Sequence, residues 1–265
     1  VRSGTRARAA LRAAYHGQVS VGDAVTGEVT TRNTRSLINA AGPWVEEVLR
    51  SALRQNSSDG VVLVRGSHII TPKLFDHGKA YFFQGSDGRI IFAIPYEQDF
   101  TLIGTTDAPH DAADTRPVCT EGEREYLLNF ANTYFAKSLT KKDIVWTYSG
   151  VRPLFDDGAS SATAATRDYV LRLDDDAAPL LNVFGGKITT YRKLAEAALA
   201  LMAPHFPQAP GHWTAGVPLP GGDMAVDGAG SLAQGLWSDY PFSDPLWAAR
   251  LARLYATGAL HRLGC

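Results

Sequence analysis

The 265-residue sequence is poor in cysteine, with Cys119 and Cys265 alone, and it has no excess of charge of either sign. The two cysteines are far apart and lack CxxC or Cys/His ligand spacing, so neither a disulfide scaffold nor a metal site is expected. The 26 Lys and Arg residues against 27 Asp and Glu give a formal net charge of -1. That balance offers no general attraction to nucleic acid, and no such partner is expected. Any selectivity for anions must come from locally placed groups.

Long apolar runs are also missing, since none approaches the roughly 20 residues that a membrane-spanning helix needs. The chain contains no G-x-G-x-x-G, because "GAGSLAQG" has the wrong spacing and no preceding strand. If the protein binds a dinucleotide, the main phosphate-binding turn is therefore expected upstream of Val1. The arginine-rich start "VRSGTRARAALRAAYHG" is interpreted as the interior of a longer protein, with a targeting peptide as the alternative.

Apolar periodicity in the first part of the chain predicts a mixed α/β (α+β) fold. A short strand at Leu37 to Asn39 should feed a helix from Pro43 to Gln55. Four further strands, forming an antiparallel sheet of local hairpins, are predicted at "VVLVRGSHIITP", "KAYFFQ", "RIIFAIPY" and "FTLIGTTD", with "GSDG" as a tight turn. A helix from Glu121 to Ala136 and a strand "DIVWTYSGV" follow.

The second part of the chain predicts two more strands, "RDYVLRL" and "LLNVF", and a helix that ends before Pro204. A Gly/Pro-rich linker then precedes a last helix at about Asp244 to Thr257, with Asp244 as its N-cap.

Three cations, Arg152, Arg167 and Lys187, each sit at the end of a predicted strand or in the turn beyond it, where side chains from neighbouring strands can converge. Two guanidinium groups and one ammonium suit a phosphomonoester. The alternative is that each is a solvated charge or pairs with a neighbour such as Asp156, Asp157 or Asp168.

Two glycine-containing stretches follow strands and precede helices, which allows backbone amides to approach a ligand. They supply the candidate cofactor contacts Asn39, Ala40, Ala41, Gly42, Gly185, Gly186, Lys187, Ile188 and Thr189. The alternative is that these small residues only shape tight strand-to-helix turns.

His68 and Thr105 are candidates for handling a substrate hydroxyl. A histidine with a pKa near neutral can accept an alcohol proton, and a threonine hydroxyl can bind a substrate hydroxyl. The alternative is a packed strand histidine and a polar turn.

The segments "INAAGPWV", "RGSHIITPKLFDHGKAYFFQ", "RIIFAIPYEQDFTLIGTTD", "DIVWTYSGVRPLFDD", "ATRDYVL" and "LLNVFGGKITTYRKLAE" together resemble the aerobic, FAD-dependent glycerol-3-phosphate dehydrogenases. The resemblance implies a discontinuous FAD-binding domain with an inserted antiparallel-sheet substrate domain and the start of a C-terminal helical domain. The domain limits expected from it are 1–57 and 149–205 for the FAD-binding remnant, 58–148 for the substrate domain, 206–225 for a linker and 226–265 for the helical domain.

The resemblance also implies the chemistry. In that family, sn-glycerol 3-phosphate gives a hydride to FAD and becomes dihydroxyacetone phosphate, and the electrons pass to quinone. Arg152, Arg167, Lys187, Thr105 and His68 are similar to the residues that line the family's substrate pocket. Arg152, His68 and Lys187 are the candidates for catalysis. The stretches around Asn39 and Gly185 resemble the family's downstream FAD contacts.

The family further implies a membrane surface at the inner, cytoplasmic face as partner and location, and a homodimer is a further expectation. A glycerol-3-phosphate oxidase that uses oxygen is one alternative, and an inactive phosphate-binding or assembly fragment is another. With the first fingerprint missing, the 265-residue chain is expected to bind little FAD and to lack most activity.

Overall fold

The computed structural model describes residues 4–14, 16–158 and 166–262, so Val1 and Cys265 lie outside the described residues. The chain divides into two units between Pro207 and Gln208. The first unit carries three sheets and the second is helical, which confirms the predicted mixture of helices and sheets. The domain limits given above stay predictions. Within the described residues, no helix combines the length and the apolar character that crossing a bilayer requires.

An N-terminal antiparallel sheet, in the order β1-β2-β3, comprises β1 Thr5–Arg12, β2 Gly17–Asp23 and β3 Val29–Thr34. The first two strands were not predicted from the sequence. The side chains of β1 are mostly exposed, so its sequence lacks the apolar alternation that marks a half-buried strand.

The second sheet is formed by strands that lie between residues 61 and 155. The next strand of the chain after β3, β4 Leu37–Asn39, belongs to the third sheet. The strands of the second sheet are β5 Val61–Pro72, β6 Tyr81–Gln84, β7 Ile90–Tyr96, β8 Phe100–Gly104, β9 Ala108–Pro109 and β10 Trp146–Phe155. The five long strands lie in the order β10-β5-β8-β7-β6, and β9 pairs with β5. The predicted strands are confirmed, but pairing is only partly local, because β5 lies between β8 and β10. The first residue of β5, Val61, pairs with the last residue of β10, Phe155, so the chain enters and leaves this sheet at neighbouring positions.

One face of this sheet is covered by α2, Glu121–Tyr134, which ends two residues before the predicted limit. Leu127 and Leu128 of the helix form a core with Ile69, Ile91 and Ile103 of the strands. α2 is the second α-helix of the chain. The first, α1 Val45–Glu47, is one short turn between a 3₁₀ turn, Gly42–Trp44, and a π turn, Val48–Ala52. The helical segment predicted to end at Gln55 thus ends at Ala52.

The third sheet has the order β11-β12-β4, with β11 at Tyr169–Asp174 and β12 at Leu180–Gly185. β12 runs antiparallel to β11 and parallel to β4, with Asn182 opposite Asn39. Leu180 and Phe184 pack on Val45 and Leu49 of the helical segment. After β12, a 3₁₀ turn leads into α3, Tyr191–Met202, which confirms the predicted helix before Pro204.

The second unit contains α4 Ala229–Asp239, α5 Pro245–Tyr255 and α6 Ala259–Arg262. A carboxylate oxygen of Asp244 accepts a hydrogen bond of 2.8 Å from the backbone of Trp247, so Asp244 caps α5 as predicted. Leu236, Ala248 and Ala252 form its core. α4 was not predicted, because its glycines weaken the helical signal.

Candidate functional site

One row of residues crosses the sheet on the face opposite α2. His68 in β5 lies opposite Tyr148 on one side and Gly104 on the other, and the row continues through Phe92 to Phe82. The imidazole of His68 stacks on the ring of Tyr148, with 4.7 Å between centroids and 7° between planes. Any β-carbon at Gly104 would collide with the imidazole. The ring of His68 therefore occupies the space over Gly104 of β8 and is held there by packing.

The surroundings of His68 favour its neutral form. Burial, followed by the positive charge of Arg152, lowers the pKa of His68 to about 4. Its Nδ1 atom is buried with no hydrogen-bond partner among the described residues. The pKa of His68 is thus below the near-neutral value considered in the sequence interpretation, and the imidazole is uncharged at pH 7. An uncharged imidazole can accept a proton, although a low pKa makes it a weak base.

Arg152 lies within β10, because the strand continues to Phe155 and does not end at the predicted Val151. Its guanidinium extends over Gly66 of β5, where a side chain would collide with it. One nitrogen donates to Oδ1 of Asp107 at 2.5 Å and the other donates to Oγ1 of Thr105 at 2.9 Å. The extended strand thus fixes the backbone of Arg152, and the turn after β8 fixes its guanidinium.

Arg167 reaches the same carboxylate from another segment, and its Nη2 atom lies 3.3 Å from Oδ2 of Asp107. The structure therefore brings together Arg152, Arg167 and Thr105 near His68. The carboxylate that holds both arginines is Asp107, and not the neighbouring Asp156, Asp157 or Asp168 suggested as partners.

Lys187 follows β12 and is exposed, and no carboxylate of the described residues forms a salt bridge with it. Convergence is thus seen for the two arginines, while the contribution of Lys187 stays a prediction. The turn before it is nevertheless close to the arginine segments. A β-carbon on Gly185 would lie 3.0 Å from the carbonyl oxygen of Asp168 and 3.7 Å from that of Pro153.

The two candidate cofactor stretches lie side by side. Residues 39–42 and 185–189 follow the parallel strands β4 and β12 at their carboxyl ends. Ligands of open α/β sheets bind in this position. A β-carbon on Gly42 would lie 4.0 Å from Pro153, the neighbour of Arg152. The cofactor candidates and the arginine pair therefore belong to one region of the first unit.

Gly66, Gly104, Tyr148 and Asp107 were not recognised from the sequence as parts of this site. The sequence signals were the polar "TTD" after an apolar strand and the glycines inside two strand patterns. In the part of the chain that the structure describes, no group of three or more His, Cys, Asp or Glu side chains could hold a metal ion.

Comparison with known proteins identifies the class. Residues 1–192 match the family described as FAD dependent oxidoreductase, and the chain belongs to this family. Among curated relatives, it is 42% identical over 262 residues to the aerobic glycerol-3-phosphate dehydrogenase of Escherichia coli strain K12, covering 98% of this chain and 52% of that protein. It is 45% identical over 231 residues to the D-erythritol 1-phosphate dehydrogenase of Brucella abortus strain 2308, covering 87% of this chain and 46% of that protein.

A solved structure agrees with these relatives. The glycerol-3-phosphate dehydrogenase of Bacillus halodurans, complexed with FAD, superposes with a TM-score of 0.80 at 29% identity, covering 98% of this chain and 51% of that chain. The resemblance found in the sequence is thus confirmed. The chain spans about half the length of the relatives it matches.

The residues present fit a flavin nucleotide. Oδ1 of Asn39 is buried with no partner among the described residues, while its Nδ2 donates to Asn182 and to the backbone of Val45. Ile188 is 88% exposed at the adjoining turn, so its apolar side chain is accessible to a ligand. An unsatisfied acceptor and an uncovered apolar side chain suit a large ligand that is polar at one edge.

The glycines themselves do not decide between the cofactor and the packing alternatives. Gly185 and Gly186 have φ values of +69° and +102°. A β-carbon on Gly186 would lie 3.1 Å from Leu194 and 3.3 Å from Tyr169. The turn therefore requires glycine for its own conformation, as the packing alternative states.

Proposed function

We propose that the whole protein to which this chain belongs oxidises sn-glycerol 3-phosphate to dihydroxyacetone phosphate, with FAD as the cofactor. The observation that carries the proposal is the pair of arginines fixed on one carboxylate beside an uncharged histidine. This arrangement offers an anion site next to a proton acceptor. Relatives named glycerol-3-phosphate dehydrogenase at 42% and 44% identity support the choice of substrate.

We assign the following roles to the side chains. Arg152 and Arg167 present guanidinium forks to the phosphate, which shares them with Asp107 or displaces that carboxylate. His68 accepts the proton of the substrate hydroxyl, while Thr105 and Lys187 orient the substrate. FAD, when bound, supplies an acceptor for the hydride of the alcohol carbon. The stretches around Asn39 and Gly185 hold the cofactor.

A test of this proposal uses the whole protein loaded with FAD in the absence of oxygen. Addition of glycerol 3-phosphate is expected to bleach the flavin absorbance, with one dihydroxyacetone phosphate formed per flavin. Protein that takes up FAD and is not bleached by a phosphorylated polyol would instead be the inactive phosphate-binding module. Titration of the 265-residue chain with FAD tests the expectation that the chain alone binds it weakly.

Quinone is the proposed electron acceptor, and the cytoplasmic face of the inner membrane is the proposed location, with a homodimer as the proposed assembly. An oxidase that uses oxygen is the alternative. Turnover in air with and without a soluble quinone analogue separates the two. A dehydrogenase is expected to give little peroxide and a higher rate with the quinone, whereas an oxidase gives one peroxide per product.

A longer polyol phosphate is a second candidate substrate, because the Brucella relative at 45% identity is named for D-erythritol 1-phosphate. Both substrates carry a phosphate for the arginine pair and differ in the length of the polyol. The ratio of kcat/KM for the two compounds identifies the preferred one, since binding at the shared phosphate cancels in the ratio.

A further inference from the structure

Glu123 joins α2 to β5 and to the turn after β8, on the face of the sheet opposite His68. Its side chain is buried, and Oε1 accepts hydrogen bonds from the hydroxyl groups of Ser67 at 2.9 Å and Thr106 at 2.7 Å. Oε2 accepts from the backbone and the hydroxyl group of Thr120, at 2.8 and 2.9 Å. The guanidinium of Arg65 lies 3.2 Å from Oε2. One carboxylate thus holds the start of α2, strand β5 and the turn after β8.

This environment keeps Glu123 ionised. Burial alone would raise the pKa of Glu123, but hydrogen bonds from the Thr120 backbone and from the hydroxyl groups of Thr106, Ser67 and Thr120 lower it to about 2. The four hydrogen bonds are therefore charge-assisted at neutral pH, which makes them stronger than bonds between neutral groups.

Thr106 connects this network to the anion site. Its hydroxyl group donates to Glu123 and accepts from the backbone nitrogen of Ser67 at 2.9 Å, and its own backbone nitrogen donates to the carbonyl oxygen of Ser67 at 3.2 Å. Thr106 is 2% exposed. Its two sequence neighbours are Thr105 and Asp107, which are the residues that hold the guanidinium of Arg152.

We propose that Glu123 is a positioning residue for the arginine pair, acting through Thr106 from the far side of the sheet. Thr106 is fixed on the face of the sheet that α2 covers. Its neighbours Thr105 and Asp107 then present their oxygens on the opposite face at set positions, where they hold Arg152 and, through Asp107, Arg167. The inference rests on the proposed function only in assuming that the arginines bind phosphate. None of the residues that bond to the carboxylate of Glu123 contacts the substrate in this scheme.

A purely structural role for Glu123 is the competing explanation, because Glu123 also completes the capping box of α2 with Thr120. The two roles use different partners and can be separated. Thr106→Val removes the link to the anion site and keeps both the shape of the side chain and the helix cap. Thr120→Ala weakens the cap and keeps the link.

The experiment compares the whole wild-type protein with Thr106→Val, Thr106→Ser and Thr120→Ala. Glu125→Gln serves as the matched control, because Glu125 is an exposed carboxylate on α2 paired with Lys141 at 2.7 Å. The measurements are the Kd for inorganic phosphate by calorimetry, hydrogen exchange of the 105–108 amides, thermal midpoint, and kcat and KM for glycerol 3-phosphate. These variants leave Arg65 and Glu123 paired, and the thermal midpoint checks that each variant is folded.

Thr106→Val is expected to weaken phosphate binding and to raise KM, each by about tenfold, and to speed exchange of the 105–108 amides. Thr106→Ser should restore all three to within about twofold of wild type, since it returns the hydroxyl group. Thr120→Ala should lower the thermal midpoint and change phosphate affinity by less than about twofold, and Glu125→Gln should leave all of these quantities unchanged.

Equal losses of phosphate affinity in Thr120→Ala and Thr106→Val would overturn the proposal, because the effect would then follow helix stability. Unchanged phosphate affinity in Thr106→Val would overturn it as well. Failure of the proposed function has a different signature, which is wild-type protein that binds phosphate and FAD but shows no bleaching with a polyol phosphate.

Discussion

Arg152 and Arg167 meet on opposite oxygens of one carboxylate, with Arg152 donating to Oδ1 of Asp107 at 2.5 Å and Arg167 approaching Oδ2 to 3.3 Å. The side chain of Asp107 is only 15% exposed, whereas that of Arg167 is 47% exposed. The carboxylate thus fixes the two guanidinium groups and at the same time occupies donors that a phosphate would use. Asp107 therefore holds the two arginines in place and also competes with an anionic ligand for them.

Loss of Arg167 should therefore weaken binding of the phosphorylated substrate. Arg167→Ala in the whole protein is expected to raise KM or to depress turnover, together costing about 2 kcal/mol in kcat/KM, because a charged hydrogen bond is removed. Arg172→Ala is the matched control, since that exposed arginine pairs with Asp59 at 3.0 Å. Steady-state kinetics of both variants check this prediction, and kinetics of Arg167→Ala equal to those of the control would remove Arg167 from the site.

Neutralising Asp107 should separate binding from turnover. Asp107→Asn keeps the shape of the side chain and removes a negative charge beside the anion site. Inorganic phosphate is expected to bind more tightly, most clearly at low ionic strength, because like-charge repulsion is removed. The value of kcat should fall, because Arg152 loses its charged partner and its fixed orientation. Calorimetry with phosphate and initial rates test the two halves, and weaker phosphate binding would show that orientation outweighs repulsion.

A methyl group beneath Arg152 should displace its guanidinium. A β-carbon on Gly66 would collide with the guanidinium and lie 2.7 Å from Oγ1 of Thr105, whereas one on Gly150, directly opposite in the register, meets no atom within 4 Å. Gly66→Ala is expected to weaken phosphate binding by about tenfold or more, while Gly150→Ala leaves it unchanged. Phosphate titration of the two variants makes the comparison, and equal affinities would contradict the placement of Arg152.

Acidification should destabilise the fold through His68. Its pKa is about 4 in the folded chain, below the ordinary value near 6.5 expected after unfolding. Between these values the unfolded chain binds a proton that the folded chain does not, so the stabilising contribution is present above pH 6.5 and is lost as the pH falls toward 4.

This contribution is measured as the fall in thermal midpoint between pH 7 and pH 4.5. His68→Gln, which cannot titrate, should show a smaller fall than wild type. His77→Gln is the control, since His77 is an exposed histidine, and its fall should equal that of wild type. Identical falls in all three proteins would mean that His68 titrates near its ordinary pKa.

Local features of the fold were predictable from the sequence. The strands β5 to β8, the turn after Gly85 and the helix capped by Asp244 depend on contacts between near neighbours, which periodicity and turn residues report. The position of β5 between β8 and β10 was not predictable in this way, because it depends on pairs such as His68 with Tyr148 that are distant in the sequence. The exposed strand β1 carried no apolar alternation to reveal it.

The candidate site shows the same limit. Arg152 and Arg167 were found by residue type and position, but their shared partner Asp107 lies on a turn that spacing does not connect to them. Gly66 and Gly104 are small because side chains from neighbouring strands lie across them. Glu123 was not singled out from the sequence, because its partners Ser67 and Thr106 are brought to it by tertiary structure.

The pairing of Val61 with Phe155 has a consequence for how the chain can vary. The segment from residue 61 to residue 155, which carries the six-stranded sheet and α2, therefore begins and ends at neighbouring backbone positions. Segments whose two ends lie close together tolerate exchange and changes of length well. Changes of length or sequence between residues 61 and 155 are therefore expected to leave the sheet of β4, β11 and β12 intact.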